Sequence, residues 1–255
     1  MEKINRWCSD ATNQLIPDFI SSPNDVDPRT RCLLLNAIHF KDSWSSKFNP
    51  SCTKSQDFHI DGQTKFQLPM MSEDVPAVLS ESSELGIRLL KLNLNCKKFS
   101  FVVMLPKERF KLPSLDKVLH DGHYKSLIAS KDLTHVRVTL PRFELTFKTE
   151  LIKVFSSMGI NDLFVENVAD LSGITKAEKL YVDEALQKCV IRVTEDGIEA
   201  AAVTEIRCMP LCAIFTTLTF CVDEPFHCMI YSNILESPLF VATVRRPTPI
   251  ESKDA

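Results

Sequence analysis

The residues of this chain that could do chemistry are few and poorly placed for catalysis. His120 and His123 flank Asp121-Gly122 like two metal ligands, but no further donor lies beside them, and a polar loop explains them. His39 and His59 fall in strand-like runs, where histidine is ordinarily structural. Asp57 and Asp61 bracket a turn, as aspartate commonly does. The six scattered glycines leave no Gly-rich phosphate loop, and neither GxSxG nor HExxH occurs. These residues point away from an enzyme, with no cofactor and no bound metal.

The stretch with a distinctive physical property is Thr194-Glu195-Asp196-Gly197-Ile198-Glu199-Ala200-Ala201-Ala202. It is a charged turn followed by small residues, and an apolar strand over 185–193 leads into it. Alanine brings little bulk and little side-chain entropy, so such a segment can enter between existing strands with little overpacking. Gly197 permits torsions that other residues resist. A long, poorly patterned segment, 203–219, follows. Insertion of the alanine run as a new strand is one reading; a solvated loop is the other.

Bulk properties narrow the classes. The 255 residues are 44% hydrophobic and 25% charged, with a net charge of −3. That is ordinary for a globular protein with a sizeable core, and it gives no electrostatic case for a nucleic-acid partner. The longest apolar runs, 99–105 and 212–222, are too short to span a bilayer, so no membrane partner is expected. The N-terminus has no apolar signal region. The nine cysteines lack CxxC spacing, and Asn49-Pro50-Ser51 is a sequon disabled by proline. Free thiols and a cytoplasmic location are favoured; an extracellular one stays open if a longer N-terminus precedes Met1.

The elements that would position these residues alternate in period. Ile4, Trp7, Leu15, Ile16, Phe19 and Ile20 predict a helix ending before Pro23. Residues 32–40 read as a fully buried strand. Strands are expected over 57–61, 87–94, 99–105, 135–140, 226–231 and 239–244, and a helix over 148–158 ending at Gly159. The class is α+β with antiparallel pairing. No linker divides the chain, so residues 1–255 are read as a single domain.

From Ile4 to Pro247 the chain resembles the serpins, the serine-protease-inhibitor family. The resemblance rests on motifs in the family's order: Asn36-Ala37-Ile38-His39-Phe40-Lys41-Asp42-Ser43-Trp44, Phe48-Asn49-Pro50, Pro69-Met70-Met71, Phe101-Val102-Val103-Met104-Leu105-Pro106, Leu140-Pro141-Arg142-Phe143, Ala169-Asp170-Leu171-Ser172-Gly173-Ile174, the stretch from Glu195 to Ala202, Asp223-Glu224-Pro225-Phe226 and Ser237-Pro238-Leu239-Phe240. It implies three β-sheets with surrounding helices and an exposed reactive-centre loop at about 195–219. It also implies a suicide inhibitor. A protease cleaves the loop, is held as an acyl-enzyme, and is displaced when the hinge Glu195, Gly197, Ile198, Ala200, Ala201, Ala202 inserts. A bridge from Arg142 to Glu195 beside Trp44 is implied at the sheet top.

Counting the family's hinge length from Glu195 puts the scissile bond at Leu211–Cys212, which suits a chymotrypsin-like target. Counting back from Pro225-Phe226 places it nearer Ile214. Arg207–Cys208 is the trypsin-like alternative, and a cysteine protease would also supply a covalent intermediate. The sequence departs from the family pattern in four ways. Roughly the N-terminal third of the fold has no counterpart, Ile198 replaces a threonine or serine, Gln187 a histidine, and Ala242 a glycine. The alternatives are therefore a non-inhibitory serpin-fold binding protein and an inactive remnant.

Overall fold

The computed structural model describes residues 1–22, 26–27, 29–129, 132–198 and 218–250. Helix α1 (Glu2–Ala11) precedes strands β1 (Leu33–His39), β2 (Asp42–Ser43), β3 (Lys54–His59), β4 (Lys65–Ser82), β5 (Ile87–Asn93) and β6 (Phe99–Pro106). Short helices α2 (Leu115–Leu119) and α3 (Tyr124–Ala129) lead to β7 (Thr134–Pro141) and β8 (Phe143–Glu150). Helix α4 (Ile152–Ser157) is followed by β9 (Glu184–Val193), β10 (Gly197–Ile198), β11 (Leu218–Cys221), β12 (Phe226–Ser232), β13 (Ser237–Val244) and β14 (Thr248–Pro249). The chain packs as two compact units, Met1–Phe40 with Leu145–Ile191 and Lys41–Glu144 with Arg192–Ala255.

In the first unit, β1 runs parallel to β9, from Leu33 opposite Glu184 to His39 opposite Val190. The segment after α1 packs Leu15, Ile16, Phe19 and Ile20 against Leu186 and Val190. The helix expected to continue to Ile20 stops at Ala11. The Thr12 hydroxyl donates to the Cys8 carbonyl (2.6 Å) and accepts from the Ile16 amide (3.1 Å). Asn13 and Gln14 then take left-handed torsions, which a continuing helix forbids. Strand β1 is not fully buried as its composition suggested: Leu33, Leu35 and Ala37 pack on the core while Leu34 is exposed. The expected helix over 148–158 is shorter, because residues through Glu150 continue β8. Alternation in Phe143-Glu144-Leu145-Thr146-Phe147 outweighs the helical pattern there. Gly159 does terminate the helix, at φ +89°.

In the second unit, β4 serves two sheets. Its first part pairs with β3 and β7, and its last part, Val78–Ser82, pairs with β5. The order continues β5–β6–β12–β13, all antiparallel, while β11 adds to β7 in parallel. Ile87, Leu89, Val102, Met104, Val118, Ile128 and Met229 form one core. Strands β4, β8 and β11 were not predicted; in β4, Pro69 and Pro76 mask the pattern. Among the described residues no helix is long and apolar enough to cross a membrane. Cys8, Cys32, Cys52, Cys96, Cys189, Cys221 and Cys228 carry free thiols, and burial pushes those of Cys189 and Cys228 up to about 11 and about 12.

His227 on β12 is buried between the Pro113 carbonyl (2.9 Å from Nε2) and the Thr243 hydroxyl (2.9 Å from Nδ1). A neutral ring protonated at Nε2 satisfies both. Burial holds its pKa below the ordinary 6.5, against the opposing hydrogen bond to the Pro113 carbonyl and with a smaller downward push from Arg245. The unfolded chain therefore binds the proton more readily. His227 contributes stability that is present above about pH 6.5 and lost as pH falls toward the lower folded pKa. The melting midpoint should drop more steeply between pH 6.5 and 5 in the wild type than in His227→Gln; parallel curves would refute this.

Candidate functional site at the hinge base

The site is built on the tight turn from β9 into β10. The Thr194 amide donates to the Gly197 carbonyl (2.9 Å) and the Gly197 amide to the Thr194 carbonyl (3.3 Å), closing the turn. Strand β10 then runs antiparallel to both neighbours: Ile198 stands opposite Val193 of β9 and opposite Asp42 of β2, and Gly197 opposite Ser43. Ile198 is fully buried in this position. Its branched side chain suits a strand, so the departure from threonine or serine is accommodated by burial.

Only glycine fits at 197. Its φ is +153°, and an added Cβ would press into the Asp42 carbonyl oxygen and lie 2.5 Å from Ser43 Cα. Both obstacles are backbone and cannot swing aside.

The segment 44–48 grips the same turn. The Trp44 amide donates to the Asp196 carbonyl (3.0 Å), and the Phe48 amide to the Glu195 carbonyl (3.0 Å). The Trp44 indole donates to the Thr194 carbonyl (2.8 Å). The indole is buried, with Phe101 and Phe48 edge-on at 5.6 and 6.0 Å.

Two acidic side chains leave the turn toward separate partners. Glu195 is 7% exposed; its Oε1 accepts from the Thr53 hydroxyl (2.7 Å) and lies 3.4 Å from Arg142 Nη1. The Asp196 Oδ1 lies 3.0 Å from Lys47 Nζ. A carboxylate this buried must keep its partners, since removing one leaves an uncompensated charge.

The structure thus brings Trp44, Arg142, Glu195, Gly197 and Ile198 together. Ala200, Ala201, Ala202, Arg207, Cys208, Leu211 and Cys212 lie outside the described residues. Gln187 sits opposite Asn36 in the β1–β9 ladder and accepts from its side-chain amide at 3.4 Å. Ala242 pairs with Cys228 between β13 and β12. Thr53 and Lys47 were missed from sequence, as was the pairing of Asp196, a residue of the stretch already singled out. Lys47 sits between Trp44 and Phe48, two residues already singled out, which is the one signal that pointed to it. His120 lies near its neighbour Asp121 (3.3 Å) and His123 near Glu84 (3.6 Å), both at the surface. Among the described residues no group of three or more His, Cys, Asp or Glu could hold a metal.

The family profile described as serpin, serine protease inhibitor, matches residues 1–247. The chain belongs to the serpin family. Among curated relatives, Iris from Ixodes ricinus is 35% identical over 245 residues, which is 95% of this chain and 64% of Iris. Among solved structures, a serpin from Schistosoma haematobium matches with a TM-score of 0.83 at 31% identity, covering 96% of this chain and 62% of that one. Human thyroxine-binding globulin complexed with thyroxine matches at a TM-score of 0.81 and 28% identity, covering 97% of this chain and 64% of that one. This serpin therefore spans slightly less than two thirds of the length of these relatives.

Gly197→Ala should lower unfolding stability by about 1–3 kcal/mol through overpacking against β2. Gly62→Ala, where nothing lies within 4 Å of the added Cβ, is the control that should leave it nearly unchanged. Glu195→Ala should cost about 1–3 kcal/mol by removing the acceptor shared by Thr53 and Arg142. Urea midpoints report all three, and an unshifted Gly197→Ala would sink the close-approach argument.

Proposed function

We propose that this chain acts as a serpin-type inhibitor of a serine protease, with residues 1–255 forming one partial serpin domain. The family profile, which runs through both compact units, supports the single-domain reading. In this reading the protease serine attacks the Leu211 carbonyl, the Leu211–Cys212 amide breaks, and an ester joins the loop to the protease. Arg207–Cys208 is the alternative bond. The hinge then zips into the sheet between β1 and β9 faster than water hydrolyses the ester. A chymotrypsin-like protease is the preferred partner for Leu211, and a cysteine protease would be held as a thioester.

The observation that carries this reading is one of register. Ile198 stands opposite both Val193 and Asp42, which are 151 positions apart, and β1 pairs with β9 at the same offset, as for Asn36 and Gln187. A strand continuing from β10 without a bulge would meet residues of β1 and β9 that already face each other. Each added rung would replace one parallel pairing by two antiparallel ones. The Asn36–Gln187 side-chain bond would part in the process, and glutamine, unlike histidine, makes that step insensitive to pH near neutrality.

A non-inhibitory carrier is the second reading, supported by the likeness to thyroxine-binding globulin. One gel separates the two. Incubation with a chymotrypsin-like protease should give a covalent complex that survives SDS; cleavage without a complex excludes inhibition. Ile198→Arg should abolish the complex while leaving loop cleavage intact, since an unpaired charge at this buried position would drive β10 from its seat between β9 and β2. The loop-cleaved protein should melt well above the intact one, and equal midpoints would count against insertion.

A further inference from the structure

The turn that starts the hinge is clamped from two sides. Glu195 and Asp196 are consecutive, and their side chains part toward different cations, Arg142 and Lys47. Lys47 belongs to the segment whose Trp44 and Phe48 amides already bond the Asp196 and Glu195 carbonyls. Its ammonium group ties the side chain of the residue whose backbone Trp44 holds. The two clamps differ in setting. The side chains of Arg142 and Glu195 are 19% and 9% exposed, those of Lys47 and Asp196 32% and 18%. The Lys47 pair is the wetter of the two, so salt screens it more.

We propose that Lys47 is a positioning residue that holds Asp196 and thereby keeps Gly197–Ile198 seated between β9 and β2. The geometry gives the direction of the effect. The pair forms while β10 is seated and is lost if β10 leaves, so it favours the seated state. Strand β10 in this state is in the register that a growing inserted strand would use. Lys47 therefore pre-forms the first rung, and losing it makes that rung form anew after cleavage. The effect on insertion rests on the inhibitory reading; the effect on seating does not.

Amide hydrogen exchange of the uncleaved protein tests the seating directly. In Lys47→Met at low salt, the Thr194 and Gly197 amides should exchange about two- to fivefold faster than in the wild type, the range set by a partly exposed ion pair. The difference should shrink near 1 M salt, and Lys47→Arg should behave as wild type. The exchanged pair Lys47→Asp with Asp196→Lys should recover most of the protection. Unchanged exchange in Lys47→Met at low salt, or a difference indifferent to salt, overturns the proposal. With protease, Lys47→Met should raise the number of inhibitor molecules consumed per trapped protease about two- to fivefold at an unchanged acylation rate. An unchanged ratio in a trapping protein overturns the role in insertion. A wild type that traps nothing refutes the inhibitory reading alone, because the exchange result still decides the seating.

Discussion

The close approach of the Gly197 backbone to β2 is the constraint on which the site depends. Strand β10 can lie opposite Ser43 and Asp42 only because residue 197 has no side chain. That approach sets which residues face each other across β10, and so sets the register offered to whatever follows Ile198. It also delivers the Glu195 and Asp196 carbonyls to the Phe48 and Trp44 amides. One missing methyl group thus fixes a turn and two strand pairings.

Charge then secures what sterics allow. A turn carrying two consecutive carboxylates would repel itself if both faced the same way. Here one is drawn into a nearly buried niche by Thr53 and Arg142, and the other reaches a cation nearer the surface. The buried niche specifies the geometry, since a carboxylate with few alternatives must sit where its donors are. The wetter pair is weaker and adjustable. Trp44 holds the same turn through its backbone amide, on the Asp196 carbonyl, and its indole, on the Thr194 carbonyl.

Much of this was legible in the residues. The strands over β5, β6, β7, β9, β12 and β13 showed as apolar or alternating runs, and the ordered motifs pointed to the serpin family, which the match over residues 1–247 shows. The errors have identifiable causes. The helix that stops at Ala11 is ended by a threonine that bonds both ways along the chain and by two left-handed residues, neither visible as a periodicity. Strand β4 hides behind two prolines and a charged middle. Strand β8 carries residues that also suit a helix, and its neighbour β9 decided between them.

The sequence by itself determined the composition of the hinge base: a glycine between a charged pair and a β-branched residue, at the end of an apolar strand, with a tryptophan far upstream. Those are local matters, since torsional freedom, bulk and charge belong to each residue alone. Only the tertiary structure decided that Thr53 and Lys47 meet that turn, across separations of 142 and 149 positions; the Arg142 bridge was implied by the family resemblance and not by any local pattern. No local pattern encodes such partners, because hydrogen bonds and ion pairs act over a few ångströms of space and are indifferent to the length of chain between the groups they join.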